Sequence, residues 1–230
     1  MSLVTQKGTV GPGASTTTTL SPAWDGSQPR NAGDALCCFI VATRSGSQAT
    51  CTTASAGWTI ASFGGFNNST NDVTVFWAVK STGAVGGDAA PTFTISSGTS
   101  SSAWLYEFTG NDPVSPWGTF STYITSIVTS PASQVNCTAV ATQWPGEVVL
   151  TGYGSRVGST PTITWAGGSA ALTASSFTSP TEIATAIQTV ATPSTVTPSV
   201  KWSVAQVSTF GSITIRPDGV IPQSSMVTAI

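Results

Sequence analysis

The chain has 230 residues, with 7 Lys and Arg against 9 Asp and Glu and no His at all. Only 7% of its residues are charged, where an ordinary globular chain carries about 25%, so Ser, Thr, Asn, Gln and Gly must form the polar surface. A hydrophobic fraction of 40% with 8 Trp and 9 Phe excludes disorder, which needs high net charge and few aromatics.

The basic residues are scattered singly along the chain. No patch exists to displace counterions from phosphates, so nucleic acid is not an expected partner. No apolar run approaches the ~20 residues of a membrane-spanning helix. The opening MSLVTQKGTVGPGAS lacks the apolar core of a secretory signal, so synthesis in the cytoplasm is expected.

In chain order, a first strand is expected within GTVGPGASTTTTLSPAW (8–24), and ALCCFIVA (35–42) suits one buried strand. VTVFWAVK (73–80) and PTFTIS (91–96) alternate with period two, the mark of a strand with one buried face. AWLYEFTG (103–110) sets Trp104, Tyr106 and Phe108 on one side and Glu107 on the other, which predicts a solvent-facing Glu107. Residues 111–133 read as a connection plus the first strand of a second set. PTEIATAIQTVAT (180–192) is the best helix candidate, but its β-branched alternation favours a strand. Short strands between Gly, Ser, Asn and Pro loops predict an all-β protein built from antiparallel β-sandwich or jelly-roll-like units.

The pattern also repeats. GDALCCFIVA (33–42) and GEVVLTGYGS (146–155) both lead from Gly and an acid into an apolar strand, with Asp34 and Glu147 113 positions apart. Val73 pairs with Ile183 at an offset of 110, Ile95 with Trp202 at 107, and Tyr106 and Phe108 with Ile213 and Ile215 at 107. The offset shrinks across loops, where length changes are tolerated. Two units related by internal duplication are expected, 1–113 and 114–230, either in tandem or with their strands interleaved in one sandwich.

Cys37 and Cys38 are adjacent on one strand and point to opposite faces, so at most one can meet Cys51. Buried free thiols are the favoured reading, with a disulfide from Cys37 or Cys38 to Cys51 as the alternative. Without His or paired CxxC motifs a zinc site is not expected.

The absence of His excludes Ser–His–Asp and Cys–His catalysis. Most of the nine carboxylates adjoin Gly, Asn or Pro at strand ends, where they shape turns. A glycosidase needs two carboxylates facing across a cleft, and the spacing suggests no such pair. No catalytic, cofactor-binding or metal-binding residue is expected. Trp77, Trp104 and Trp202 fall in the apolar phase of their strands and read as core. Trp117 and Trp144 adjoin Pro in expected loops and are the candidates for contact with a partner protein or a glycan.

Five segments carry a family resemblance: Gly33-Asp34, Ala56-Gly57-Trp58-Thr59, Trp77-Ala78-Val79-Lys80, Pro91-Thr92-Phe93-Thr94, and Phe108 through Pro113. Together they resemble tailed-phage virion proteins of the minor-tail and head-decoration type, especially those of phages of actinobacteria. The resemblance covers most of 30–217, and its motifs are turns and core strands. In the second copy WAGGS (165–169) replaces the Gly-Trp turn. The resemblance implies a repeated β-sandwich displayed on a virion, a non-enzymatic structural protein of capsid or tail. Its partners would be other virion proteins and further copies of itself, and host attachment would be a further role. A carbohydrate-binding β-sandwich module recognising host-surface glycans is the alternative.

Overall fold

Alternation in the sequence becomes strands throughout, with no helix among the described residues. The structure, a computed structural model, describes residues 5–15, 19–24, 31–44, 46–53, 55–66, 72–80, 84–96, 100–121, 124–128, 134–157, 161–178, 181–204 and 206–219. The first half contains β1 Thr5–Ser15, β2 Thr19–Leu20, β3 Ala35–Arg44, β4 Cys51–Thr53, β5 Trp58–Phe66, β6 Asp72–Lys80, β7 Phe93–Ile95 and β8 Ser100–Thr109. The second half begins with β9 Trp117–Phe120, β10 Ile124–Val128, β11 Val135–Asn136, β12 Val140–Ala141, β13 Glu147–Arg156 and β14 Ile163–Ala166. It continues with β15 Ala170–Thr178, β16 Thr181–Val190, β17 Thr195–Val196, β18 Ser199–Trp202 and β19 Gln206–Ile215.

All pairings are antiparallel, and each half builds a large sheet and a small one. The first half orders them β1-β8-β3-β6-β5 and β2-β7-β4; the second orders them β10-β19-β13-β16-β15 and β11-β18-β14. Setting aside β9, which adds to β19, and the small β12–β17 pair, both halves follow one winding. That winding, with the first strand beside the last and the second beside the seventh, is a jelly roll. Among the described residues no strand pairs with a strand of the other half, so the strands do not interleave. Among the described residues a single isolated bridge, Asn111 to Pro217, crosses between the halves.

Register tests the sequence pairings one by one. Cys37 pairs with Tyr106 and Leu150 with Ile213, so that correspondence occupies equivalent ladder places, while Ile95 and Trp202 each lie opposite the first residue of a short strand, Cys51 and Ile163. The pairing of Val73 with Ile183 needs correction. Val75 lies opposite Val41, and Ile183 lies opposite Gly154, the counterpart of Val41. Ile183 therefore matches Val75. The slide is two residues, which preserves the sheet face and so leaves no trace in the alternation.

The four sheets stack in four layers, because the inner faces of the two large sheets pack on each other. Phe39, Val41, Val75, Trp77 and Tyr106 meet Leu150, Ile183, Ile213 and Ile215 in one shared core. The outer face of the first large sheet (Leu36, Cys38, Ile40, Phe76, Leu105) packs on Leu20, Phe93 and Ile95 of its small sheet. In the second half, Tyr153, Ala184 and Phe210 pack on Val200 and Trp202. Strand β3 thus has both faces covered, which explains its uninterrupted apolar run.

This layering corrects the reading of Glu107. It does point away from Tyr106 and Phe108, but that side faces the small sheet and Glu107 is fully buried. The four cysteines are free thiols. Cys37 joins the shared core and Cys38 the outer one, as their opposite faces require.

Candidate functional site

The loops at one end of the stack tie the two halves together. Asn111 anchors the connection to the first half: its Oδ1 accepts from the Ala35 amide at 3.0 Å, and its Nδ2 donates to Gly33 O at 2.8 Å. Asp112 then forms a turn, with Oδ1 accepting from the amides of Val114 and Ser115 at 2.9 and 3.0 Å. Its own amide donates to Arg216 O at 2.9 Å, and the Arg216 amide donates to Pro116 O at 2.8 Å. The connection at 110–117 is therefore hydrogen-bonded into both halves. This local turn-making is the role the sequence suggests for acids beside Gly and Pro.

Trp117 lies here, in strand β9 and not in a loop. It is only 8% exposed and packs in the shared core, and its indole N–H donates to Lys80 O at 2.7 Å. A surface contact through Trp117 is not available in this fold. The physical reason is that β9 extends the second large sheet and directs the ring between the sheets.

Trp144 differs. It is half-buried, with the Arg216 guanidinium over its ring at 4.5 Å from the centroid. Arg216 is held in turn by a bond from Nη1 to Ser115 Oγ at 2.9 Å. Glu147 fixes the turn that carries Trp144, its Oε2 accepting from the amides of Gln143 and Trp144 at 2.6 and 3.2 Å. The cation on the ring covers much of the face that a sugar would stack on.

Two features of this end escape the sequence reading. Val85 and Val114, at 71% and 77% exposure, are the large apolar side chains left in solvent among the described residues. Their segments flank Gly33: Ala84 O accepts from the Gly33 amide at 2.8 Å, and Pro113 Cβ lies 2.9 Å from where a Gly33 side chain would begin. Gly33 also has a φ of 89°, a backbone shape that glycine adopts without strain.

The second feature is a cleft of about 380 Å³ lined by Trp58, Lys80, Val85, Asp88 and neighbouring Ser and Ala residues. Lys80 Nζ donates to Asp88 Oδ1, and both residues are buried, at 7% and 8% exposure. Asp88 Oδ2 accepts from the Val85 amide at 2.8 Å. Burial pulls the Lys80 amine below its usual range. The signal available in the sequence is a Lys closing an apolar strand, followed eight positions later by an Asp in a Gly/Ala loop.

A second, apolar hollow of about 280 Å³ lies among Ala49, Thr50, Cys51, Ile60 and Phe76. Burial pushes the Cys51 thiol up to about 12, which makes it a poor nucleophile at neutral pH. Among the described residues no group of three His, Cys, Asp or Glu is placed to hold a metal ion. No helix among them is long and apolar enough to cross a membrane. Asp25 lies outside the described residues.

Comparison with protein-family models, with curated proteins and with solved structures finds no match.

Proposed function

We propose that this chain is a non-enzymatic structural protein on the surface of a tailed-phage particle, decorating the capsid or the tail. The observation that carries the reading is the four-layer body, in which two jelly rolls share one core and a hydrogen-bonded connection. Such a body offers a stiff, nearly uncharged surface whose short side chains lose little entropy on meeting a neighbour. The family resemblance of the turns at Gly33-Asp34 and Phe108 through Pro113 adds the virion. The shared winding supports an internal duplication with units 1–113 and 114–230. Capsid or tail proteins and further copies of this chain are its partners, met through the end where Val85, Val114 and Trp144 reach the surface.

Gold-labelled antibody on intact particles, imaged by electron microscopy, tests this. Label on capsids or along tails is expected, and its position chooses between decoration and tail protein. Bare particles beside abundant protein in the lysate contradict the virion role. The second reading is a carbohydrate-binding module, in which glycan meets the half-buried Trp144 on the ring surface that Arg216 leaves open. In that case host-envelope glycan binds the purified protein and Trp144→Ala abolishes the binding.

A further inference from the structure

We propose that Lys80 and Asp88 become joined by an amide bond, an internal cross-link between the end of β6 and the loop that follows it. The observation is the arrangement of three groups. Lys80 Nζ contacts Asp88 Oδ1, the other oxygen of that carboxylate is held by the Val85 amide, and the lysine and aspartate side chains are 9% and 6% exposed.

A buried ion pair of this kind bears a desolvation cost that its Coulomb attraction recovers only in part. Moving one proton from the ammonium to the carboxylate removes both charges, and desolvation favours that neutral pair. The drop in the Lys80 amine's proton affinity, caused by burial, points the same way. The neutral amine can then attack Asp88 Cγ. The Nζ–Cγ bond forms, the Cγ–Oδ1 bond breaks, and Oδ1 leaves as water with one proton of the carboxylic acid and one from nitrogen. No oxidant or co-reactant is needed. Oδ2 remains as the amide carbonyl, and the Val85 N–H already points at it to stabilise the charge that develops on that oxygen during attack.

The surroundings keep the two groups together. The aliphatic stem of Lys80 runs past Gly57, where a side chain would begin 3.3 Å from Lys80 Cε. Trp58, opposite Lys80 in the sheet and edge-on to Phe93 at 6.4 Å, closes the side of the cleft. Held groups of this kind react with effective concentrations of roughly 10⁵–10⁸ M when well oriented. The cleft gives the departing water a way out.

The second half lacks the pair. Register places Gln188 where Lys80 stands, and Gly168 lies against Gln188 as Gly57 lies against Lys80. A glutamine amide is not a nucleophile for this step, so the cross-link belongs to the first half alone.

Intact mass under denaturing conditions, followed by protease mapping, is the test. The purified full chain is expected to be lighter than its sequence by one water, with a branched peptide joining Lys80 to Asp88. Lys80→Arg and Asp88→Ala each restore the full sequence mass. Asp88→Asn guards against variants that fail to fold: it reaches the same amide by losing ammonia, so its mature mass equals that of the mature wild type. A wild-type mass equal to the sequence, with ordinary cleavage after Lys80, shows an ion pair only and overturns the proposal. So does a lost water that maps to another site.

Discussion

The two halves share one winding and yet differ where they meet. Positions 39 and 152 occupy equivalent places in β3 and β13, as do 41 and 154. The first half presents Phe39 and Val41; the second presents Gly152 and Gly154. A side chain begun at Gly152 runs into the Phe39 ring, and one begun at Gly154 lies 2.6 Å from Val41 Cγ1. Equivalent residues therefore face each other across the shared core, and two large ones cannot both fit. Close packing is met by pairing large with absent, a solution that two identical chains could not adopt at those positions.

Cross-contacts around this pair follow the same logic. Trp77 donates its indole N–H to Gly211 O at 3.2 Å, and the Tyr106 hydroxyl meets Thr185 Oγ1 at 2.6 Å. Thr43 and Thr181 hydroxyls lie 2.8 Å apart, and Arg156 Nη1 donates to Arg44 O at 2.9 Å. A polar atom buried between sheets costs about 1–3 kcal/mol when unsatisfied, and these bonds remove that cost by spanning the halves.

The strongest way to break the asymmetry is Gly152→Ala. The new methyl overpacks the interface and is expected to remove about 3 kcal/mol of stability, read as a lowered denaturation midpoint. Phe39→Leu in the same chain should recover part of that loss, giving a coupling of at least about 1 kcal/mol in a double-mutant cycle. Strict additivity would mean that the two positions do not touch.

Glu147→Ala comes next, with an expected loss of about 2 kcal/mol, because two amides lose their side-chain acceptor in a part-buried turn. Trp117→Phe keeps most of the ring's burial but leaves Lys80 O without its indole donor, for about 1 kcal/mol. An unchanged denaturation midpoint would show that the indole bond to Lys80 O carries no stability.

The smallest effect concerns the outer layers. Cys51 in the first half and Cys137 in the second are both pushed up to about 12 by burial. The native state holds these acids neutral, so their contribution is complete below the ordinary thiol range and is lost as pH rises from about 9 toward 12. At pH 8 both thiols should alkylate far more slowly than a free cysteine, since thiolate is the reactive form. Rapid labelling of Cys51 alone would show that its small sheet opens more readily than that of the second half.

The strand phases were legible in the sequence because period-two alternation survives wherever one face is buried, as in PTFTIS and AWLYEFTG. Leu150, Trp202 and Ile213 could even be matched to their counterparts, since core strands change length less readily than loops. The back-to-back stacking was not legible. It shows only in the second covered face of β3 and in glycines at 152 and 154 that look like weak points of a strand. Glu107 misleads for the same reason, because alternation tells which face a residue takes but not whether a further sheet covers that face. Of the candidate site, the neighbouring Pro singled out Trp144 but gave no sign of the Arg216 guanidinium over its ring. Val85, Val114 and the Lys80–Asp88 pair depend on loops brought together from distant parts of the chain.

The central claim is that two jelly rolls form one body through a single shared core. Scanning calorimetry of the intact chain tests it most directly. The account predicts one transition whose calorimetric and van't Hoff enthalpies agree, moved as a whole to lower temperature by Gly152→Ala. Two resolved transitions, with only one of them moved by that substitution, would contradict it.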